Sequence, residues 1–215
     1  MPDFSFENEH TNLLVCGCDE VGRAPLAGPV VAACVYIPKD LHDTPLWQEV
    51  NDSKKIAKKK RETLALAIKE NAHWGIGEAS VEETDAINIV QASFLAMTRA
   101  YETMNMPCDM ALIDGNLLPK SFPCSAQSLI KGDTKSVSIA AASIIAKVHR
   151  DQMMTRLAAI HPHYGWERNA GYPTKEHLAG INARGITEHH RKSFAPVKNF
   201  LQFGGTKRPV EKQNL

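Results

Sequence analysis

The fold of this chain is indicated most clearly by one segment, Leu13-Leu14-Val15-Cys16-Gly17-Cys18-Asp19-Glu20-Val21-Gly22-Arg23-Ala24-Pro25. Its first six residues predict a buried strand, and residues 29–37 predict a second one. Asp19 and Glu20 follow the first strand directly, where burial of two carboxylates costs several kcal/mol unless something neutralises them. Arg23 is close, but one Arg cannot satisfy two acids and also hold a substrate. A divalent metal could neutralise both, whereas an isolated Asp-Glu pair is more often a solvated turn.

Two further aspartates occupy comparable positions. Asp114 ends the short apolar strand at residues 110–113 and is followed by Gly115, which lets the backbone turn and aim the carboxylate into a cleft. Asp133 precedes a long helical pattern, so a helix N-cap is an equal alternative for it. With Asp19 and Glu20, these acids offer only hard oxygen ligands, which favour Mg²⁺ or Mn²⁺ over zinc or copper.

The remaining pattern predicts an α/β chain with a helical C-terminal part from about residue 161. Helices are predicted at 57–72, 81–104 (with a break), 136–160 and 175–184, and strands at 74–79 and 126–130. In the broken helix, the predicted inner stripe consists of Ile87, Val90, Phe94 and Met97. We expect residues 1–203 to form a single domain and residues 204–215 to be a disordered polar tail.

Composition is that of an ordinary globular chain, with 215 residues, 43% hydrophobic and 23% charged. No apolar run reaches membrane-spanning length, and the polar start is not a signal peptide. Five cysteines without a CxxC pair predict small core residues in a reducing cytosol, so we expect a cytoplasmic protein. The net charge of +1 does not indicate nucleic-acid binding, so any such role must depend on local charge.

Local charge and histidines are grouped in a few places. Residues 58–61 are all basic and are interpreted as a solvated helix face, while Lys54 follows a turn that fixes its position better. The histidine clusters at 161–163 and 188–190 resemble ligand sets. Their charged loop context favours solvated surface features instead.

Five blocks of the sequence, from about Leu13 to Phe194, resemble a type 2 ribonuclease H (ribonuclease HII). The family is associated with a ribonuclease H-like mixed sheet flanked by helices, a four-carboxylate metal site and endonucleolytic cleavage of RNA joined to or paired with DNA. About a dozen residues precede the first strand, which favours type 2 over type 3 enzymes, since those carry an extra N-terminal domain. The blocks are Asp19–Arg23, Asn51–Lys55, Ile113–Gly115, Lys131–Lys147 and Gly171–Thr174.

The resemblance also implies residues that contact the substrate. Backbone groups of Gly22, Arg23 and Ala24 would read the ribose 2′-hydroxyl, although the family normally has Gly-Arg-Gly here. Because Ala24 adds a Cβ where close approach is needed, we expect weaker binding or turnover with discrimination retained. Tyr172, between Gly171 and Pro173, would stack on the sugar beyond the ribonucleotide; packing with a satisfied hydroxyl is the alternative.

Three basic residues complete the predicted substrate-binding set. By the same resemblance Lys54 would meet a phosphate, a contact that gives affinity without sequence information. Lys147 and Arg150 lie outside the predicted buried stripe of helix 136–160. Together with Lys54, they are assigned to substrate binding. The expected partners are RNA–DNA hybrids and ribonucleotide-containing duplex DNA, with no membrane and no obligate protein partner, so a monomer is expected.

The chemistry implied is hydrolysis assisted by two metal ions roughly 4 Å apart. Asp19 and Asp114 are the candidates for shared ligands, with Glu20 and Asp133 completing the shells. The family's products are a 3′-hydroxyl and a 5′-phosphate, cut on the 5′ side of the ribonucleotide. Two alternatives remain, namely another two-metal nuclease or integrase on this fold and a non-catalytic binding subunit. The second is the weaker, because four acids would repel a phosphate ligand.

Overall fold

A five-stranded mixed sheet forms the centre of the protein, for which a computed structural model describes residues 1–208. The strand order is β3-β2-β1-β4-β5. The first three strands are antiparallel neighbours, while β4 runs parallel to β1 and β5 parallel to β4. The predicted α/β mixed sheet is therefore confirmed. Its strands are β1 Val15–Val21, β2 Val30–Tyr36, β3 His73–Ala79, β4 Met110–Asp114 and β5 Ser125–Leu129.

Helices cover both faces of this sheet. They are α1 Ser5–Asn8, α2 Lys58–Asn71, α3 Val81–Ile87, α4 Ile89–Met104, α5 Val137–Ile160, α6 Trp166–Asn169, α7 Lys175–Arg184 and α8 Ala195–Phe203. Helices α2 and α5 pack on one face and α4 on the other. None of the helices within residues 1–208 has the length and apolar character that crossing a bilayer requires.

Strand β2 shows why the sheet is buried on both sides. Its residues Val31, Ala33 and Val35 pack towards α2 and α5, whereas the alternate residues pack towards α4. All seven residues of the strand are buried. A continuous apolar run is what such a doubly covered strand requires, because successive side chains point to opposite faces.

Two of the five cysteines differ from the prediction of reduced core thiols. Cys18 and Cys34 are opposite each other on β1 and β2, and the structure joins them as a disulfide. Both are fully buried, as predicted. Cys16, Cys108 and Cys124 remain free.

Gly17 lets helix α5 approach β1 closely. A Cβ at this position would overlap backbone atoms of Ser138 and Ile139 in the first turn of α5. The small residues Ala140, Ala141 and Ala142 continue this close contact, and all three are fully buried. The contact brings the start of α5, together with the turn before it, to the end of β1.

Two details of the predicted elements need correction. Strand β1 continues through Asp19 and Glu20 to Val21, so these acids lie within the strand and not after it. The predicted break between α3 and α4 is confirmed at Asn88, which has φ of +68° and caps α4 with its side chain. Of the predicted inner stripe, Met97 is buried and Phe94 packs against the same core cluster, as predicted, but Ile87 is 38% exposed. The rest of the buried face of α4 consists mainly of Ala92, Ala96 and Ala100. Small residues pack there because Gly75 and Gly77 of β3 bring the sheet backbone against the helix.

The C-terminal part is helical, as predicted. Here α7 and α8 pack around the buried Trp166 and Ile181. Within the predicted tail, residues 204–208 are described, and Thr206 among them is buried, with its backbone N–H donating to Asn182 Oδ1 at 3.0 Å. Residues 209–215 of that predicted tail lie outside the described residues.

Candidate functional site: four carboxylates in one cleft

One cleft, at the carboxyl ends of β1 and β4, collects all the predicted site residues except Arg150. Open clefts at this edge of a sheet are common ligand sites. The lining residues are Asp19, Glu20, Val21, Gly22, Arg23, Ala24, Ser53, Lys54, Asp114, Asp133, Ser143, Lys147 and Tyr172.

Strand register brings the acids together. Cys18 pairs with Ile113 in the parallel ladder between β1 and β4, so the next residues, Asp19 and Asp114, lie side by side. Asp133 enters from the short 3₁₀ turn before α5. The backbone N–H of Gly132 in that turn donates to Asp114 Oδ1 at 2.7 Å, which links the turn that carries Asp133 to the end of β4.

Burial and mutual repulsion leave the acids poorly compensated. Burial, followed by the charges of Glu20 and Asp114, raises the pKa of Asp19 well above its usual value. Burial also raises the pKa of Glu20, with partial relief from Arg23, whose Nη1 lies 3.2 Å from Glu20 Oε1. The pKa of Asp133 is raised by burial and then by Asp114. A cation would reverse these penalties, since it favours the charged form of each acid.

The donor set fits divalent ions that prefer oxygen ligands. Its four side chains are carboxylates, and the hydroxyl-bearing Ser143 lines the same cleft. Within residues 1–208, only one group of three His, Cys, Asp or Glu side chains has all its ligand atoms within 4.8 Å of one another, and it lies elsewhere. The four acids are therefore more widely spaced than the ligands of a single closed site.

Arg191 is a residue of the site that the sequence reasoning missed. Its side chain is fully buried and donates to the backbone carbonyls of Gly22, Arg23, Pro25 and Gly28 at 2.6–3.0 Å. Burial, and then the charge of Arg150, lowers its pKa to about 9, which still leaves it charged at neutral pH. No sequence pattern marked this arginine, because its partners are main-chain groups about 165 residues away.

The contacts of Arg191 also orient the backbone of the segment Gly22-Arg23-Ala24 towards the cleft. Arg191 occupies the carbonyls of Gly22 and Arg23 on the protein side, and Gly22 has φ of +94°, a conformation that favours glycine. Within residues 1–208, the backbone N–H groups of Arg23 and Ala24 have no protein acceptor. Arg23 and Ala24 are exposed. These two amides are thus available to a ligand.

Arg150 does not belong to the cleft, and its assignment to substrate binding is corrected. It is fully buried, and its guanidinium donates to the carbonyls of Pro29, Ala170 and Ala27 at 2.9–3.0 Å. All its nitrogens are used inside the protein, so none is left for a phosphate. Arg150 lies directly beneath Gly22, where a Cβ would overlap it, and so supports the segment from below.

The basic residues at and near the cleft differ in how far protein contacts fix their side chains. Lys54 is exposed, and its charge acts on Asp133. Lys147 is mostly buried, and its Nζ is 2.7 Å from Asp151 Oδ1. Arg61, predicted to be solvated with its lysine neighbours, is instead buried and donates to the carbonyl of Ser53 at 2.7 Å. It therefore fixes the turn that carries Lys54.

Tyr172 lies at the edge of the cleft with its side chain 38% exposed. Its backbone is fixed on both sides. The N–H donates to the carbonyl of Asn169, and the carbonyl is 3.0 Å from His177 Nδ1. A half-exposed aromatic ring on a rigid backbone is well suited to stacking on a nucleotide.

The sequence of this chain matches one family of known proteins over most of its length. A family model described as Ribonuclease HII matches residues 16–197. Ribonuclease HII of Paramagnetospirillum magneticum is 53% identical over 203 residues, which is 94% of this chain and 100% of that protein. The match therefore includes every residue placed in the cleft.

Solved structures show the same fold at much lower identity. Ribonuclease H2 from Pyrococcus horikoshii superimposes with a TM-score of 0.71 at 21% identity, covering 87% of this chain and 97% of that one. Bst-RNase HIII in complex with Mn²⁺ gives a TM-score of 0.70 at 22% identity, covering 92% of this chain and 71% of that one.

Proposed function

The chain belongs to the ribonuclease HII family, and on that basis we propose that it nicks duplex DNA on the 5′ side of embedded ribonucleotides. Membership makes it a nuclease of the ribonuclease H class, which acts on RNA–DNA hybrids and depends on divalent metal. The observation that carries the finer proposal is the pair of unpartnered amides, Arg23 and Ala24, beside four converging carboxylates.

Recognition of the ribonucleotide is proposed to depend on the Gly22-Arg23-Ala24 backbone. A 2′-hydroxyl both donates and accepts, so an N–H held rigidly at the cleft can distinguish ribose from deoxyribose. Arg191 and Arg150 provide the rigidity, because both hold the segment from the buried side. The arrangement costs no reorganisation when the substrate binds.

Asp19, Glu20, Asp114 and Asp133 are proposed to hold Mg²⁺ or Mn²⁺. When bound, such ions stabilise charge on the scissile phosphate and favour attack by water, with release of a 3′-hydroxyl and a 5′-phosphate. The chain's own part is to fix the ligands. Ser143 and Ser53, whose Oγ atoms are 2.9 Å apart, support Asp19, and the N–H of Gly132 orients Asp114.

Lys54, Lys147 and Tyr172 are proposed to bind the substrate on either side of the cut. Lys54 and Lys147 would contact backbone phosphates, and Tyr172 would stack on the sugar after the ribonucleotide. Lys147 would then exchange its ion pair with Asp151 for a phosphate contact. We propose that the protein acts as a cytoplasmic monomer without an obligate partner.

Product mapping tests the proposed position of the cut. A duplex with one ribonucleotide, labelled at the 5′ end of the ribonucleotide-bearing strand, is incubated with Mg²⁺ and resolved at single-nucleotide resolution. The expected product ends in a 3′-hydroxyl directly before the ribonucleotide and is extended by a DNA polymerase without phosphatase treatment. A product that still carries the ribonucleotide, or that needs phosphatase before extension, would contradict the proposal.

A variant pair separates recognition from catalysis. Tyr172→Ala is expected to lower kcat/KM on the single-ribonucleotide duplex by about 10-fold, which corresponds to about 1.4 kcal/mol, because it removes the ring proposed to stack on the sugar. The control is Tyr101→Phe, which removes a hydroxyl remote from the cleft that hydrogen-bonds to the backbone of Cys108. Equal activities of the two variants would exclude the stacking role.

A further inference from the structure

His161, Glu188 and His189 come together on the side of the protein formed by the end of α5 and the loop after α7. The sequence places them in two clusters 27 residues apart, interpreted there as solvated surface features. In the fold, their potential ligand atoms all lie within 4.8 Å of one another. His161 Nε2 is 4.0 Å and His189 Nε2 3.6 Å from the same atom, Glu188 Oε1.

We propose that these three side chains form a binding site for one late transition-metal ion such as Zn²⁺, separate from the four-carboxylate cleft. Two imidazoles and one carboxylate are a donor set that Zn²⁺ favours, with a fourth position left for water. Ligand atoms around a tetrahedral Zn²⁺ are about 3.3 Å apart at the usual bond lengths, so small side-chain rotations complete the site.

Both imidazole rings are held in place before an ion binds. His161 and His189 pack edge-to-face, with ring centroids 5.3 Å apart, and each also packs against the fully buried Trp166. The Glu188 side chain is 68% exposed and free to turn towards an ion. Two fixed ligands and one adaptable ligand lower the ordering cost of binding.

The surroundings add negative charge. Glu82 at the start of α3 lines the same shallow depression as Glu188 and His189 and interacts electrostatically with His189. A divalent cation placed between the histidines would be attracted by both carboxylates. The site is therefore electrostatically suited to a cation even when both histidines are neutral.

The proposed site would join two segments that position the nuclease cleft. His161 caps α5, which carries Lys147 and Arg150, while the carbonyl of His189 accepts from the N–H of Gly28 at 2.9 Å. An ion bound between them ties the end of α5 to the loop that leads into Arg191. Binding to the folded state alone raises thermal stability in proportion to the logarithm of the ion concentration.

The donor chemistry makes the two sites separable. Imidazole binds Zn²⁺ much more strongly than Mg²⁺, which prefers oxygen ligands. The test titrates Zn²⁺ by calorimetry into tag-free protein in about 10 mM Mg²⁺, an excess chosen to occupy carboxylate-only sites, and follows melting temperature in parallel. We expect one Zn²⁺ per chain and a rise in melting temperature of a few degrees.

Variants assign the site. His161→Gln and His189→Gln are each expected to weaken Zn²⁺ binding by about 10-fold or more and to abolish the rise in melting temperature. Glu188→Gln, at an exposed position where the fold is not at risk, is expected to weaken it as well. The matched control is His163→Gln, an exposed histidine two residues from His161 and outside the group, which should bind Zn²⁺ normally.

Two results would overturn the proposal. The first is the absence of Zn²⁺ binding in Mg²⁺, which would leave the three side chains as an ion-pair cluster only. The second is unchanged binding in all three variants, or an equal loss in His163→Gln, which would place the ion elsewhere. A circular dichroism spectrum and Mn²⁺-dependent nuclease activity like those of the unmodified protein verify that each variant is folded.

Discussion

Ala24, for which the resemblance to the family leads to an expected glycine, is exposed and lines the cleft. Because Arg191 holds the neighbouring carbonyls, the Ala24 amide keeps its direction whichever side chain is present. We therefore expect the added methyl group to restrict the approach of a ribose while the backbone amides of the segment keep their direction.

Ala24→Gly is expected to raise kcat/KM on a single-ribonucleotide duplex by about threefold, a change of less than 1 kcal/mol. The physical reason is that removal of the Cβ lets the ribose come closer to the amide. Steady-state kinetics on that duplex provide the measurement, and an all-DNA duplex should remain uncut by both proteins. Unchanged kinetics would show that the Cβ does not limit access.

We expect Asp19 to destabilise the protein in the absence of metal. Burial and the charges of Glu20 and Asp114 raise its pKa, so its ionised form costs folding free energy at neutral pH. Asp19→Asn removes that charge while keeping the shape of the side chain. The substitution should abolish nuclease activity and yet stabilise the metal-free protein.

The expected result for Asp19→Asn is a melting temperature a few degrees above that of the unmodified protein in EDTA at pH 7.5. The difference should shrink as the pH falls, since Asp19 then becomes protonated and neutral in the fold. Asp40→Asn, at an exposed position, is the control and should show no such gain. A loss of stability in Asp19→Asn would mean that the carboxylate is compensated within the protein.

The close contact between β1 and α5 sets the position of the start of α5 relative to the acids at the end of β1. Gly17→Ala is expected to destabilise the protein by about 3 kcal/mol or more, because the new Cβ would overlap the backbone of Ser138 and Ile139. Urea unfolding measures this loss. Gly205→Ala, with no atoms within 4 Å of the added Cβ, is the control and should stay within about 0.5 kcal/mol. Similar midpoints for both variants would refute the close contact.

Glu83 connects α3 to α4 and predicts a specific pH dependence. It completes the capping box of Ser80, and its two oxygens accept from Arg99 at 2.8 and 2.7 Å. Hydrogen bonds from Arg99 and from the backbone of Ser80 lower its pKa to about 2. A lowered carboxyl pKa gives stability that is present above about pH 4.5 and is lost as the pH falls towards 2.

Glu83→Gln should therefore cost about 1 kcal/mol at pH 7, a modest value because the ion pair is partly exposed. The difference from the unmodified protein should disappear between pH 4.5 and 2, where Glu83 becomes neutral. Glu102→Gln, on the exposed face of α4, is the control. A cost that persists at low pH would attribute the effect to packing and not to charge.

The sequence predicted local elements better than long-range contacts. Helix α5 was predicted within one residue, since its apolar spacing and Ser136 cap are both local signals. The buried face of α4 was predicted only in part: Met97 is buried as predicted. The alanines beside it were missed, because small residues pack where β3 supplies glycines, and neither segment shows this alone. Arg150 was assigned to substrate binding wrongly and Arg191 was not identified, because both are buried arginines whose acceptors are distant backbone carbonyls.

Asp19, Glu20 and Asp114 were recognisable because each follows or ends an apolar strand pattern, and the parallel pairing of β1 and β4 then brings Asp19 and Asp114 side by side. Asp133 precedes a helical pattern, which an N-cap explains equally well. The histidine group shows the opposite case. Its members become neighbours only when the loop after α7 folds back on the end of α5. Spacing along the chain carries no signal for such an arrangement.

At the level of the whole molecule, the fold separates two tasks. The sheet and α5 fix the four carboxylates, while the C-terminal helical part, through Arg191, fixes the segment proposed to recognise ribose. A chain with damaged C-terminal packing should therefore lose discrimination before it loses its acidic cleft.

If the four-carboxylate cleft cleaves RNA joined to DNA with divalent metal, single-turnover cleavage of a one-ribonucleotide duplex should differ sharply between the unmodified protein and Asp114→Asn. We expect the unmodified protein to nick the duplex with Mg²⁺ or Mn²⁺, but not with chelator and not on an all-DNA duplex. In Asp114→Asn, we expect the rate to fall by at least about 10³-fold. Cleavage that survives Asp114→Asn, or that proceeds in chelator, would contradict the proposed role of the cleft.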